Sequence, residues 1–268
     1  MTAAPGRADR VFITGASSGI GAALAREYAA RGATLGLLAR RRELLAELLA
    51  SLPNPERHRI YAVDVLERDA VAAAAADFIA ANGGADIVIA GAGISHGTLT
   101  ERPADLPVFD AVFATNVGAT VATFAPFIAT MKAQAGPRRL VGIGSVAGIR
   151  GMRGAGAYCA SKAAVHSYCE SLRLELRASG IKVVTIAPGY IDTPMTRNNR
   201  FPMPFLMPAE RFAAQAAAVI ARGSSYRVLP WQMGVVAKLL RLLPNALFDL
   251  AFSRAPTKQR AGEKRERT

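Results

Sequence analysis

The chain has 268 residues, 51% hydrophobic and 20% charged, with 24 glycines and 15 prolines that follow no fixed period, which excludes a disordered chain and a collagen-like one. Its 33 Lys and Arg against 20 Asp and Glu give a net charge of +13, a value that raises nucleic-acid or anionic-membrane binding. Apart from six basic residues against two acids in 254–268 the charge is spread thinly, no run elsewhere exceeds Arg40-Arg41-Arg42, and aromatics are only 7%, so the stacking platform of a nucleic-acid binder is missing.

Met1 to Arg10 is too short and polar for a signal peptide, so a cytoplasmic chain is expected. From there short apolar runs alternate with longer helical patterns. Strands are predicted over Arg10–Thr14, Thr34–Ala39, Arg59–Val63, Asp86–Ala90, Arg138–Gly144, Lys182–Ala187 and Tyr226–Leu229. Helices are predicted over Gly19–Arg31, Arg42–Ser51, Glu67–Ala80, Leu106–Lys132, Tyr158–Ala178 and Pro208–Ala221. This order implies βαβ units, hence one doubly wound α/β domain over 1–230 with about seven parallel strands covered by helices on both faces. Ala111–Met131 lacks charge, but Asn116, Gly118, Pro126 and Thr115, Thr120, Thr123 and Thr130 make it a buried helix rather than a membrane span. Gly189–Met207, rich in Pro, Met and Phe without a period, reads as a long mobile loop over a pocket.

Two features close the chain. Residues 231–253 form an apolar helical extension interrupted at Pro244, and 254–268 read as a disordered basic tail. The apolar residues Val235, Val236, Leu239, Leu240, Leu242, Leu243, Leu247, Phe248, Leu250 and Phe252 are too many for a solvated helix. Either two helical pieces pack on the body, a partner subunit or the pocket, or Lys238, Arg241 and the tail make peripheral contact with anionic lipid through 231–268. Cys159 and Cys169, ten residues apart on one helix, cannot bond to each other, which suggests a reducing compartment. The scattered His58, His96 and His166 show no ligand spacing, so no metal is expected.

The chemistry begins at the first turn. Gly15-Ala-Ser17-Ser18-Gly19-Ile20-Gly21 follows a strand and opens a helix, so glycines let backbone N–H groups approach a pyrophosphate at the positive helix end, as in a Rossmann dinucleotide site. At the end of the second strand, where an acid would accept from a ribose 2′-hydroxyl, stand Ala39, Arg40 and Arg41. Cations there fit a 2′-phosphate, and therefore NADP(H), unless they are only the solvated first turn of a helix. Asp64-Val65, ending the third strand, is placed to meet the adenine edge.

Tyr158 and Lys162 stand four residues apart, one above the other on a helix face, where a cation lowers the pKa of a phenol toward a useful range. Ser145 ends a strand facing the same crevice. Thr14–Gly21, Asn116, Ser145, Tyr158 with Lys162, and Pro188-Gly189, in this order and spacing, resemble the short-chain dehydrogenase/reductase family over about Arg10 to Leu229. The resemblance implies Tyr158 as general acid in carbonyl reduction, Ser145 as the donor to the carbonyl oxygen, Lys162 on the nicotinamide ribose and Asn116 in a proton relay through Lys162. It also implies Pro188, Gly189, Ile191 and Thr193 at the nicotinamide, cofactor binding by backbone near Gly93, and a homodimer or homotetramer paired through the helices of Asn116 and Tyr158. Where the family commonly has Asn-Asn-Ala-Gly, this chain reads Ala90-Gly91-Ala92-Gly93, so two bracing amides are missing.

These readings converge on an NADPH-dependent reductase of a hydrophobic ketone or aldehyde, the apolar Met195, Phe201, Met203, Phe205, Leu206 and Met207 disfavouring a sugar. The alternatives are a non-catalytic NADP(H)-sensing protein on the same fold and a peripheral membrane reductase of a lipid-like carbonyl.

Overall fold

The computed structural model describes residues 8–197, 199, 201–258 and 260. The N-terminal segment weighed above as a signal peptide lies largely outside them in residues 1–7, as does the end of the basic tail in 261–268. Strands β1 (Arg10–Thr14), β2 (Thr34–Ala39), β3 (Arg59–Ala62), β4 (Ile87–Ala90), β5 (Arg139–Ile143), β6 (Lys182–Pro188) and β9 (Tyr226–Leu229) form one parallel sheet in the order β3-β2-β1-β4-β5-β6-β9. These strands stand within a residue or two of the expected ones.

The central strands are apolar on successive residues because both faces are covered. On one face Val11 and Ile13 pack under α1 (Gly19–Ala30), α2 (Arg42–Ser51) and α7 (Ala209–Arg222). On the other, Phe12 meets Phe78 of α3 (Arg68–Asn82) at 5.5 Å and Phe127 of α5 (Ala119–Ala133) at 4.9 Å between ring centroids, with α6 (Gly156–Glu175) alongside. At the N-terminal edge of the sheet Arg10 and Asp86 are buried as an ion pair. Asp86 Oδ2 accepts from the Arg10 backbone N–H and Nε, both at 2.9 Å, and Oδ1 from Nη2 at 2.8 Å.

The single helix expected over Leu106–Lys132 is not continuous. It consists of α4 (Leu106–Phe113), a π turn over Ala114–Gly118 and α5, because an extra residue enters the hydrogen-bond ladder at the turn that carries Asn116. Phe124, Phe127 and Met131 are fully buried against the sheet, although Pro103–Ala133 is long and apolar enough to cross a membrane by composition. The segment expected as an irregular loop over Gly189–Met207 contains a two-residue parallel ladder, β7 (Ile191–Asp192) with β8 (Met207–Pro208), which fixes both its ends to each other.

The C-terminal extension is two helices broken at Pro244 as expected, α8 (Trp231–Leu242) and α9 (Asn245–Phe252). Met233, Ala237 and Phe248 are buried. Arg150 pins the pair: Nη1 donates to the carbonyls of Leu240 at 2.7 Å and Leu243 at 2.6 Å, and the guanidinium lies 3.9 Å over the Phe248 ring. Beyond α9 the chain does not leave the surface as a free tail. Arg260 forms a buried-edge ion pair with Asp105 and Lys258 reaches Ser95, because each finds a polar partner in the loop after β4 or at the start of α4.

Candidate active site

The C-terminal ends of β1, β4, β5 and β6 open onto one cleft of about 520 Å³ at the point where the strand order reverses between β1 and β4. Of the candidate site residues, all but Asn116 line it.

At one end the turn from β1 to α1 needs its glycines. A Cβ on Gly21 would collide with the carbonyl oxygen of Gly15, which itself has φ +71°. Ser18 caps α1 without a side-chain bond to the helix, and the Ser17 and Ser18 hydroxyls instead accept from Arg41 Nη2 at 3.1 and 2.9 Å. Arg41 thus stands beside the helix N-terminus, and the exposed Arg40 lies 3.6 Å from Asp64 across the cleft. A positive helix end, a glycine cradle and two guanidiniums suit a phosphorylated dinucleotide. One of the two missing amides has a local reason: a Cβ on Gly91 would lie 2.7 Å from the Thr14 carbonyl oxygen, because the chain just beyond β4 passes close to the end of the neighbouring β1.

At the other end α6 presents Tyr158, Lys162 and His166 at four-residue intervals on one face. The Lys162 ammonium lies 5.8 Å from the Tyr158 ring centroid and donates to the Ile143 carbonyl at 2.8 Å. Burial pushes Lys162 down to about 8, which leaves it mostly protonated at neutral pH. Burial also raises the Tyr158 phenol above its ordinary value, a hydrogen bond from Ser145 opposing the rise. Desolvation therefore sets the direction of the shift in this state, and the Ser145 bond, rather than the Lys162 cation expected from the sequence, is what opposes it.

Ser145 stands two residues beyond the end of β5 and caps the turn Val146–Gly148, its Oγ accepting from the Ala147 N–H at 3.1 Å. Its own backbone N–H is held by His166 Nε2 at 3.3 Å. His166, dismissed in the sequence as a scattered histidine, is pushed down to about 4 by burial and the Lys162 charge, and so accepts as a neutral ring. The signal for it was positional, a third polar residue on the Tyr158 and Lys162 face.

Asn116 sits behind the wall. Its Oδ1 accepts from the Ile94 N–H at 2.8 Å, while Nδ2 donates to the Ile94 carbonyl at 3.1 Å and to Ser161 Oγ at 2.9 Å. With both ends of its amide engaged, Asn116 braces the loop after β4 and makes no hydrogen bond to Lys162 among the described residues. His96, Thr115 and Thr196 also line the cleft, though no motif marks them; of the apolar residues from Met195 to Met207 expected over the pocket, Met195 alone among the described residues lines it.

Comparisons with known proteins agree with this arrangement. The family model described as short chain dehydrogenase matches residues 9–203. An uncharacterized oxidoreductase of Myxococcus xanthus is 35% identical over 247 residues, covering 91% of this chain and 96% of its own. One of Mycobacterium tuberculosis is 36% identical over 242 residues, covering 89% and 95%. Among solved structures, a short-chain dehydrogenase from Streptomyces avermitilis superposes with TM-score 0.74 at 24% identity, covering 87% of this chain and 92% of its own. A 3-ketoacyl-(acyl-carrier-protein) reductase from Brucella melitensis, complexed with NADH, gives 0.75 at 24% identity, covering 82% and 96%.

Proposed function

The chain belongs to the short chain dehydrogenase family, and we propose that it is an NADPH-dependent oxidoreductase acting between a hydrophobic ketone or aldehyde and the corresponding alcohol. The observation that carries this reading is the convergence of Tyr158, Ser145 and Lys162 on the mouth of the cleft whose other end holds the glycine turn and Arg41.

When bound, the cofactor supplies the hydride. The residues supply the proton and the field. The Ser145 hydroxyl, its oxygen fixed by the Ala147 N–H, donates to the carbonyl oxygen and so polarises it. A buried phenol above its ordinary pKa is protonated at neutral pH and is therefore loaded to protonate the developing alkoxide. The Lys162 charge then offsets the phenolate that remains, at a distance where burial keeps screening low. Neutral His166 and Asn116 position these groups by holding Ser145 and the loop after β4.

Cofactor choice rests on Arg40 and Arg41 in place of an acid. A charged hydrogen bond contributes about 1.5–3 kcal/mol, so kcat/KM is expected to favour NADPH over NADH by about tenfold to a hundredfold. NADPH oxidation followed against carbonyls graded in chain length tests both cofactor and substrate class; equal kcat/KM with NADH and NADPH overturns the cofactor assignment. Exposed apolar residues Phe109 and Val121 near the Asn116 turn, and Leu174 on α6, support pairing of two protomers through these helices.

A peripheral membrane role has its own support. Trp231, Val235, Leu239 and Leu242 form one stripe along α8, exposed by 68, 48, 63 and 79%, and Leu247 and Leu250 extend it on α9. Exposed Lys238, Arg241 and Arg254 border it, a pattern complementary to an anionic bilayer surface. The protein is expected to sediment with phosphatidylglycerol vesicles at low salt, to be released by high salt, and to lose binding in a Leu239→Glu/Leu242→Glu variant. No binding of the intact protein at low salt, or unchanged binding of the variant, assigns the stripe to a second subunit instead.

A further inference from the structure

The proposed reduction leaves one cation near the Tyr158 ring, Lys258, without a task. After α9 the chain turns back over the body. Thr257 packs on Gly154, where a Cβ would lie 2.7 Å from its Cγ2, and Arg260 pairs with Gly97 as a parallel bridge. Arg260 also grips buried Asp105 through two hydrogen bonds of 2.8 Å, and the same carboxylate accepts from the Leu99 N–H at 2.8 Å. This anchor, two residues beyond Lys258, sets the Lys258 ammonium 5.9 Å from the centroid of the Tyr158 ring, with the Ser95 hydroxyl at 2.9 Å. Lys162 flanks the same ring at 5.8 Å. Among the described residues Lys258 meets no carboxylate, since Asp105 is committed to Arg260. A half-buried ammonium with a neutral partner is short of counter-charge, and burial lowers its pKa accordingly.

We propose that Lys258 is a substrate-recognition residue, pairing with a carboxylate carried by the carbonyl compound reduced at Tyr158, so that the substrate is an apolar oxo-acid rather than a neutral ketone. The inference rests on the reading of the cleft as a reductase site. The cofactor's phosphates do not supply the missing charge, because the glycine turn and Arg41 that suit them lie at the far end of the cleft. The apolar wall that includes Ile94 and Met195 takes the body of such a molecule, and Lys258, 5.9 Å from the Tyr158 ring centroid just outside the cleft lining, reads its acid.

The test uses the full chain with NADPH and ten-carbon oxo-acids whose keto group is placed at successive carbons, each beside its methyl ester. At one spacing or more kcat/KM is expected to favour the free acid, and Lys258→Met to lower that acid-to-ester ratio about tenfold or more, chiefly through KM, with Lys258→Arg restoring part of it. A preference for the ester at every spacing, a ratio unmoved by Lys258→Met, or a shift of the kcat pH profile that is the same for acid and ester overturns the assignment. A second readout separates it from the reductase reading. Decanoate, which has the carboxylate but no carbonyl, is titrated calorimetrically into the protein with NADP+. If no carbonyl is reduced, yet Lys258→Met weakens decanoate binding about tenfold, the recognition site stands and the activity does not. Equal decanoate binding by both proteins overturns the site.

Discussion

Replacing Tyr158 by phenylalanine is expected to lower kcat by about a hundredfold to ten-thousandfold while NADPH binding persists. The ring is half-buried, with the Lys162 and Lys258 ammoniums 5.8 and 5.9 Å from its centroid, and phenylalanine fills nearly the same volume, so packing is conserved and only the hydroxyl is lost. What disappears with it is the proton for the alkoxide and the acceptor of the Ser145 hydrogen bond. Neither Lys162, held on the Ile143 carbonyl, nor His166, neutral and bonded to the Ser145 N–H, stands where the phenol does. Steady-state kcat at saturating NADPH, with cofactor binding followed separately by fluorescence, checks this. A variant keeping more than about a tenth of wild-type kcat shows that another group delivers the proton. A wild-type protein that binds NADPH but reduces no carbonyl is the cofactor-sensing protein instead.

The second large effect concerns stability. Asp86→Ala removes the partner of a guanidinium that is only 5% exposed and leaves it with the Asn82 carbonyl at 3.0 Å, while the Arg10 backbone N–H loses its acceptor. Breaking a buried pair from one side costs about 3–5 kcal/mol, because the remaining charge stays desolvated. Denaturant unfolding of the variant is expected to show that loss. Exchange of both partners for apolar residues of similar volume, Arg10→Met with Asp86→Leu, is expected to recover most of it. A single variant within about 1 kcal/mol of wild type means that water or a neighbouring group takes over the Arg10 charge.

The parallel strands were legible because burial on both faces demands unbroken apolar runs, as in Val11-Phe12-Ile13. Tyr158, Lys162 and Ser145 were legible because their spacing places them at one crevice. What escaped depended on contacts distant in sequence or on a local change of helical register. The π turn around Asn116 has no compositional mark that separates it from an ordinary helix, and its bonds to Ile94 span 22 positions. Lys258 and Arg260 looked like solvated charge since the carboxylate that holds Arg260 lies 155 positions away. Gly91 looked like a lost amide until the Thr14 carbonyl beneath it came into view.

The strand order also divides the labour of the cleft. Arg41, Asp64 and the glycine turn hang from β1, β2 and β3, whereas Ser145, Tyr158, Gly189 and the arm carrying Lys258 follow β4 and later strands. Substitutions that retune the adenosine end of the nucleotide are therefore expected in the first third of the polypeptide, and those that retune the reacted molecule in the last two thirds, where Lys162 and the residues from Pro188 to Thr193 serve both. Directed evolution of residues 39–42 and of 190–207 together with 254–258 is therefore expected to combine with nearly additive effects, because the two sets follow different strands.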